Sequence, residues 1–372
     1  MLFALALLAF FAIALPDTML GVVWPSMRVS FDQPLAAMTL VLPFGVAATV
    51  LSTSSWTWVA ARLGLGRLLA ASVALSTVAL AICALAPAYW VIVACAVLFG
   101  LSSGAIDAAL NAYAARNFGA RRINLMHAAF GVGAACSPLI VTASASWRWA
   151  YLIVMAIQGV AAVLFAVSTR RWRETAIGTD VRVERARPRR STRAVVGLLL
   201  VAVDTGLESV AGLWAFVFLL EAVELRPATA ALVVSGYWAA LVAGRILLGS
   251  VAERAGAWPV LVGATVVAGV AAALIGSLGP IAAAAGVILL GLAVAPIYPL
   301  LVLTTAERTA AASADRLVGF QAAASTLGSV TFVGIAGLVM GADVRGFAVC
   351  VLALTVLTIG GIWVLRPGAA RG

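Results

Sequence analysis

The sequence predicts an all-α membrane protein: twelve transmembrane helices arranged as two similar six-helix halves. Three observations predict it. Hydrophobic residues make up 64% of the chain and charged residues 10%, with a mean hydropathy of +1.13, too little polar surface for a water-facing domain. The apolar residues fall into twelve runs of membrane-spanning length. The basic residues collect on one side of those runs.

A bilayer core takes about 20 apolar residues per helix, so twelve helices use roughly 240 residues. A chain of 372 residues has little left beyond loops. The predicted spans are 2–28, 36–60, 68–86, 89–115, 124–145 and 149–168, then 194–220, 228–250, 258–278, 280–305, 317–341 and 346–365. The first lacks a basic n-region and runs past Pro16 to Met27, which argues for a spanning helix rather than a cleaved signal. The fourth carries Gly100-x-x-x-Gly104, a packing seam. Between the sixth and seventh lies the only long polar stretch, with nine arginines against Glu174, Asp180 and Glu184. The predicted organisation is therefore a bundle at 1–168, a basic cytoplasmic linker at 169–193 and a second bundle at 194–372.

The formal charge of +10 comes from 24 arginines and no lysine. With a cytoplasmic N-terminus, all but Arg28, Arg148, Arg226 and Arg345 fall on the cytoplasmic side, as the positive-inside rule requires. The charge thus sets orientation, with both termini cytoplasmic and anionic lipid as neighbour. A nucleic-acid partner is not expected. The four cysteines lie in apolar spans and the chain has one histidine, so neither disulfides nor a metal or other cofactor is expected.

The halves resemble one another. A-R-L-G at 61–64 matches E-R-A-G at 253–256, Gly100-Leu101 with Ile106 matches Gly291-Leu292 with Ile297, and His127-Ala-Ala matches Gln321-Ala-Ala, at offsets of 191 to 194. Parallel halves about an axis along the membrane normal are a transporter architecture, with the solute site at mid-membrane.

Two groups of residues carry the predicted chemistry. Gly249-Ser-Val-Ala-Glu253-Arg254-Ala-Gly256, preceded by Gly244-Arg245, has the pattern G-x-x-x-[DE]-R-x-G. Gly249 is expected to admit a neighbouring helix, Glu253 and Arg254 to form a breakable charge pair, and Gly256 to permit a tight turn. The earlier copy keeps Arg62 and Gly64, with Ala61 in place of the acid. The second group is the ionisable and polar residues within spans, which are costly in hydrocarbon. Asp17 shares a face with Gly21 and Trp24, Asp107 lies one turn from Asn111, and Asp204 one turn from Glu208. His127 begins the fifth span. Carboxylates so placed can carry a proton, while asparagine, glutamine and tryptophan suit a hydroxylated solute. Each has a structural alternative: snorkelling for Asp17, helix–helix hydrogen bonding for the two acid pairs, and a packed structural role for His127.

The chain resembles the major facilitator superfamily over essentially its whole length. Within it, the chain is similar to the fucose:proton symporter branch and its bacterial and fungal relatives. The resemblance rests on Gly104-Ala-Ile-Asp107-Ala-Ala-Leu-Asn111, Ile123-Asn-Leu-Met-His127-Ala-Ala-Phe-Gly131, Gly206-Leu-Glu208-Ser-Val-Ala-Gly-Leu-Trp214, Ser235-Gly-Tyr237-Trp238, Ala295-Pro-Ile-Tyr298-Pro299 and Gly319-Phe-Gln321. It implies that Asp107 is the proton-coupling acid of the fourth helix with Asn111 beside it, that His127 stands at a pore-facing glutamine position, and that Glu208 lies near a polar position of the seventh helix. Asp17 departs from the pattern, because the family's first-helix acid falls at the position of Gly21.

The expected function is proton-coupled secondary transport of a small polar solute, such as a sugar, by a monomer in the cell membrane. Asp107, Asp17, Glu208 and Asp204 are the proton candidates; Trp24, Asn111, His127, Trp214, Tyr298 and Gln321 are the solute candidates. Gly249, Glu253, Arg254, Gly256, Arg245, Arg62 and Gly64 are the cytoplasmic gating group. An exporter of drugs or metabolites by proton antiport, and a transporter-like solute sensor, are the alternatives. An enzyme is not expected, since no Ser/His/Asp set, metal cluster or phosphate loop is present.

Overall fold

The computed structural model describes residues 1–172, 192–305 and 311–366. Most of the expected linker, 173–191, lies outside them. The chain divides into two compact units, Met1–Val181 and Arg182–Gly372. Within the described residues, twelve helical spans are long and apolar enough to cross a membrane.

The first unit holds α1 (Leu2–Ser30), α2 (Val41–Leu63, preceded by a 3-10 segment Leu35–Leu40), α3 (Leu65–Ala84), α4 (Tyr89–Asn117), α5 (Ala120–Ala143) and α6 (Trp147–Ser168). The second holds α7 (Thr192–Glu221), α8 (Pro227–Ala255), α9 (Ala257–Gly276), α10 (Pro280–Val294), α11 (Ile297–Leu303), α12 (Ala311–Ala342) and α13 (Gly346–Leu365). The tenth predicted span is thus two helices, not one. Pro296 separates them: it has no N–H for the ladder, and Pro299 is tolerated because it falls in the first turn of α11.

Single glycines end α2 and α8. Gly64 (φ 82°) and Gly256 (φ 87°) each close one helix and open the next, and each donates its N–H back to the fourth residue before it, Ala60 and Ala252. Only glycine takes that left-handed conformation cheaply, so the predicted tight turn is present in both halves.

The packing repeats as well. In the first unit α1 packs on α5, α2 on α4 and α3 on α6; in the second α7 packs on α12, α8 on α10 and α9 on α13. The seams close through equivalent glycines. A Cβ on Gly100 would overlap the carbonyl oxygen of Gly45, and one on Gly291 that of Tyr237. A Cβ on Gly133 would overlap the carbonyl of Phe11, and one on Gly328 that of Ala202. These contacts set the residue correspondence: α2 and α8 run at an offset of 192, and α1 and α7 at 191. Away from the seams, large apolar side chains such as Leu51, Val78, Trp90, Val163 and Ile281 are exposed, as a lipid-facing surface requires.

Candidate functional site

In the first unit the polar residues of α1, α4 and α5 converge. Asp107, midway along α4, accepts a hydrogen bond from the Asn111 side-chain amide at 2.9 Å; the i, i+4 spacing of one helix face makes that contact. His127 on α5 lies within electrostatic reach of Asp107, as does Asp17 on α1. The His127 ring stands edge-on to Phe10 with centroids 5.2 Å apart. Asp17, Asp107 and His127 are all exposed rather than sealed in the packing. Asp17 opens into a cavity of about 320 Å³ walled by α1, α2 and α4, with contributions from Cys83 and Tyr151. Its lining is largely apolar, including Leu20, Val46 and Phe99, with Thr49 and Ser103 as further polar groups.

In the second unit the charges pair. Arg245 of α8 donates Nη2 to both carboxylate oxygens of Glu208 on α7, at 3.0 and 3.1 Å. Arg245 was grouped by sequence with the cytoplasmic gating residues. It lies instead well inside the span: α8 continues ten residues beyond it, about 15 Å of helix. Tyr237 is fully buried and donates its hydroxyl to the backbone carbonyl of Glu208 at 2.9 Å. Tyr298 lies within reach of the same charges. Asp204, one turn before Glu208, is fully buried, and among the described residues neither carboxylate oxygen has a hydrogen-bond partner.

The remaining candidates lie elsewhere. Trp24 and Trp214 are fully buried, with indole N–H groups donated to the backbone carbonyls of Leu35 (2.9 Å) and Val333 (3.1 Å). Both act as packing anchors in this conformation. Gln321 is fully buried and accepts from Thr305 at 3.0 Å, its amide nitrogen without a partner among the described residues. At the helix ends, Arg62 lies 3.5 Å over the Trp58 ring. Glu253 and Arg254 are exposed, and among the described residues no ion pair joins them. Among the described residues a Cβ on Gly249 would meet nothing within 4 Å, so no described helix packs against that glycine. Among the described residues no three His, Cys, Asp or Glu side chains converge on a metal site.

Sequence reasoning missed the Glu208–Arg245 pair and the Asp17 cavity. The signal for the first was available, since one basic and one acidic residue deep in separate apolar spans rarely remain apart.

Twelve spans in two repeated six-span units, with ionisable groups inside the bundles, define a membrane carrier fold. The chain belongs to the Major Facilitator Superfamily, whose family model matches residues 6–331. It is a transporter by family and not an enzyme. No curated protein sequence matches the chain. Among solved structures it is similar in fold to a point mutant of the nucleoside transporter NupG (TM-score 0.79, 13% identity, 98% of this chain and 99% of that one). It is likewise similar to a bacterial homologue of the human lysosomal transporter Spinster, inward-facing and occupied (TM-score 0.76, 12% identity, 97% and 95%).

Proposed function

We propose that the chain is a proton-coupled secondary transporter that moves a small polar solute across the cell membrane by alternating access, with both termini cytoplasmic. One observation carries the coupling: Asp107 sits exposed in the middle of a spanning helix, held by Asn111 and within electrostatic reach of His127 and Asp17. An acid there is costly unless it exchanges a proton or binds a partner during the cycle. Asp17, Asp204 and Glu208 are the further proton candidates, and Asn111, His127 and Tyr298 the solute-facing ones. The similarity of Asp107 and Asn111 to the fucose symporter pattern supports a hydroxylated solute, and the fold shared with NupG is compatible with one. The largely apolar lining of the Asp17 cavity favours the second reading, an exporter of amphipathic molecules by proton antiport.

The test is Asp107→Asn in proteoliposomes. Uptake driven by an imposed proton gradient is expected to vanish while counterflow exchange persists. Gradient-driven accumulation equal to that of the parent rejects Asp107 as the coupling acid.

A further inference from the structure

The two units place the same acid in opposite surroundings. The α1/α7 correspondence, fixed by the backbone carbonyls of Phe11 and Ala202 that receive Gly133 and Gly328, sets Asp17 against Glu208. The α2/α8 correspondence, fixed by Gly45 and Tyr237 against Gly100 and Gly291, sets Thr53 against Arg245. In the second unit, therefore, the acid is held by a guanidinium and the adjoining volume is filled by a buried phenol ring. In the first unit the guanidinium is a threonine and the phenol is a hydrogen atom. Gly45 lines the 320 Å³ cavity, and Asp17 opens into it. Among the described residues no hydrogen-bond donor or ion-pair partner meets the Asp17 carboxylate, and its charged neighbour is a second acid, Asp107.

We infer that the Asp17 cavity binds a small organic cation with an apolar body, whose ammonium or guanidinium takes the place that Arg245 holds in the second unit. This names the solute class for the transport reading above and rests on it. The physical argument is complementarity on two counts. Thr53, at the position equivalent to Arg245, is exposed and donates its hydroxyl to the backbone carbonyl of Gly104, so it brings no positive charge. The apolar wall formed by Val46, Phe99 and Leu20 rewards a hydrocarbon body. A neutral sugar would match neither the unpartnered carboxylate nor the apolar wall. His127 acts electrostatically on Asp107.

The experiment is equilibrium binding to the purified full chain in lipid nanodiscs, with benzyltrimethylammonium, benzyl alcohol and phenylacetate as a cationic, neutral and anionic set. The cation is expected to bind at least about tenfold more tightly than the alcohol, a ratio that corresponds to one modest charge-assisted contact. Asp17→Asn is expected to erase that preference, and an unchanged melting temperature of the unliganded variant shows that it is folded. Thr53→Arg, with Asp17 intact, is expected to exclude the cation by supplying the missing guanidinium internally. Equal binding of cation and alcohol, or a preference that survives Asp17→Asn, overturns the inference. The outcome is independent of coupling. Cation binding without proton-driven flux would sink the transport reading alone, and proton-driven flux of another solute without cation binding would sink this inference alone.

Discussion

Asp204 and Glu208 lie one turn apart on α7, yet only Glu208 has a charge partner, Arg245 of α8. Arg245 engages both oxygens of Glu208 while keeping part of its side chain accessible, so the pair holds geometry without full desolvation. A double-mutant cycle of Glu208→Gln and Arg245→Gln, read as thermal unfolding in detergent, is expected to show a coupling of about 1 kcal/mol, with the double variant more stable than the singles predict. Asp204 has no such partner. Asp204→Leu is therefore expected to keep or raise the melting temperature, because an orphaned buried polar group is removed. A melting temperature lowered by the variant would mean that Asp204 has a partner in the folded state. The intramembrane acids themselves were legible in the sequence, since acidic residues stand out in runs of alanine, valine and leucine. Their environments were not. Arg245 looked like one more cytoplasmic charge because only the length of α8 beyond it shows how deep it lies.

At the level of helices, the spans could be read from hydrophobic runs, and the turns at Gly64 and Gly256 from the repeated Arg-x-Gly pattern. The division of the tenth span was missed because Ala295-Pro-Ile-Tyr-Pro299 is apolar throughout, and hydropathy is blind to a missing N–H. The role of Gly249 was misread for a related reason: spacing reveals which residues are small but not what lies opposite them. The glycine seams separate the two cases experimentally. Gly100→Ala and Gly291→Ala each force a methyl group against a backbone carbonyl on the neighbouring helix and are expected to cost about 1–3 kcal/mol. Gly249→Ala, with open space around it, is expected to be neutral or to stabilise α8 by up to about 1 kcal/mol. Thermal unfolding of the three variants side by side is the check, and equal effects would contradict the seam assignment.

For the whole molecule, arginine placement gives the topology a direct test. With the termini cytoplasmic, Gln33→Cys and Asp343→Cys are expected to react with a membrane-impermeant maleimide from outside intact cells, and Arg62→Cys only after permeabilisation. Cys83 and Cys95 are buried, and the half-buried Cys136 and Cys350 are first replaced by serine to keep the background low. The reversed pattern would invert the topology. The duplication was visible as short matches at a shared offset; what it does to the interior was not, because the deciding exchanges, Gly45 for Tyr237 and Thr53 for Arg245, are dissimilar pairs that no motif search aligns. Their backbone contacts align them. The chamber of one unit is plugged by its own side chain and that of the other stands hollow. Excavating the plug should recreate the hollow: Tyr237→Gly would leave a phenol-sized void beside Glu208, and dissolved phenol should refill it and restore the lost heat resistance.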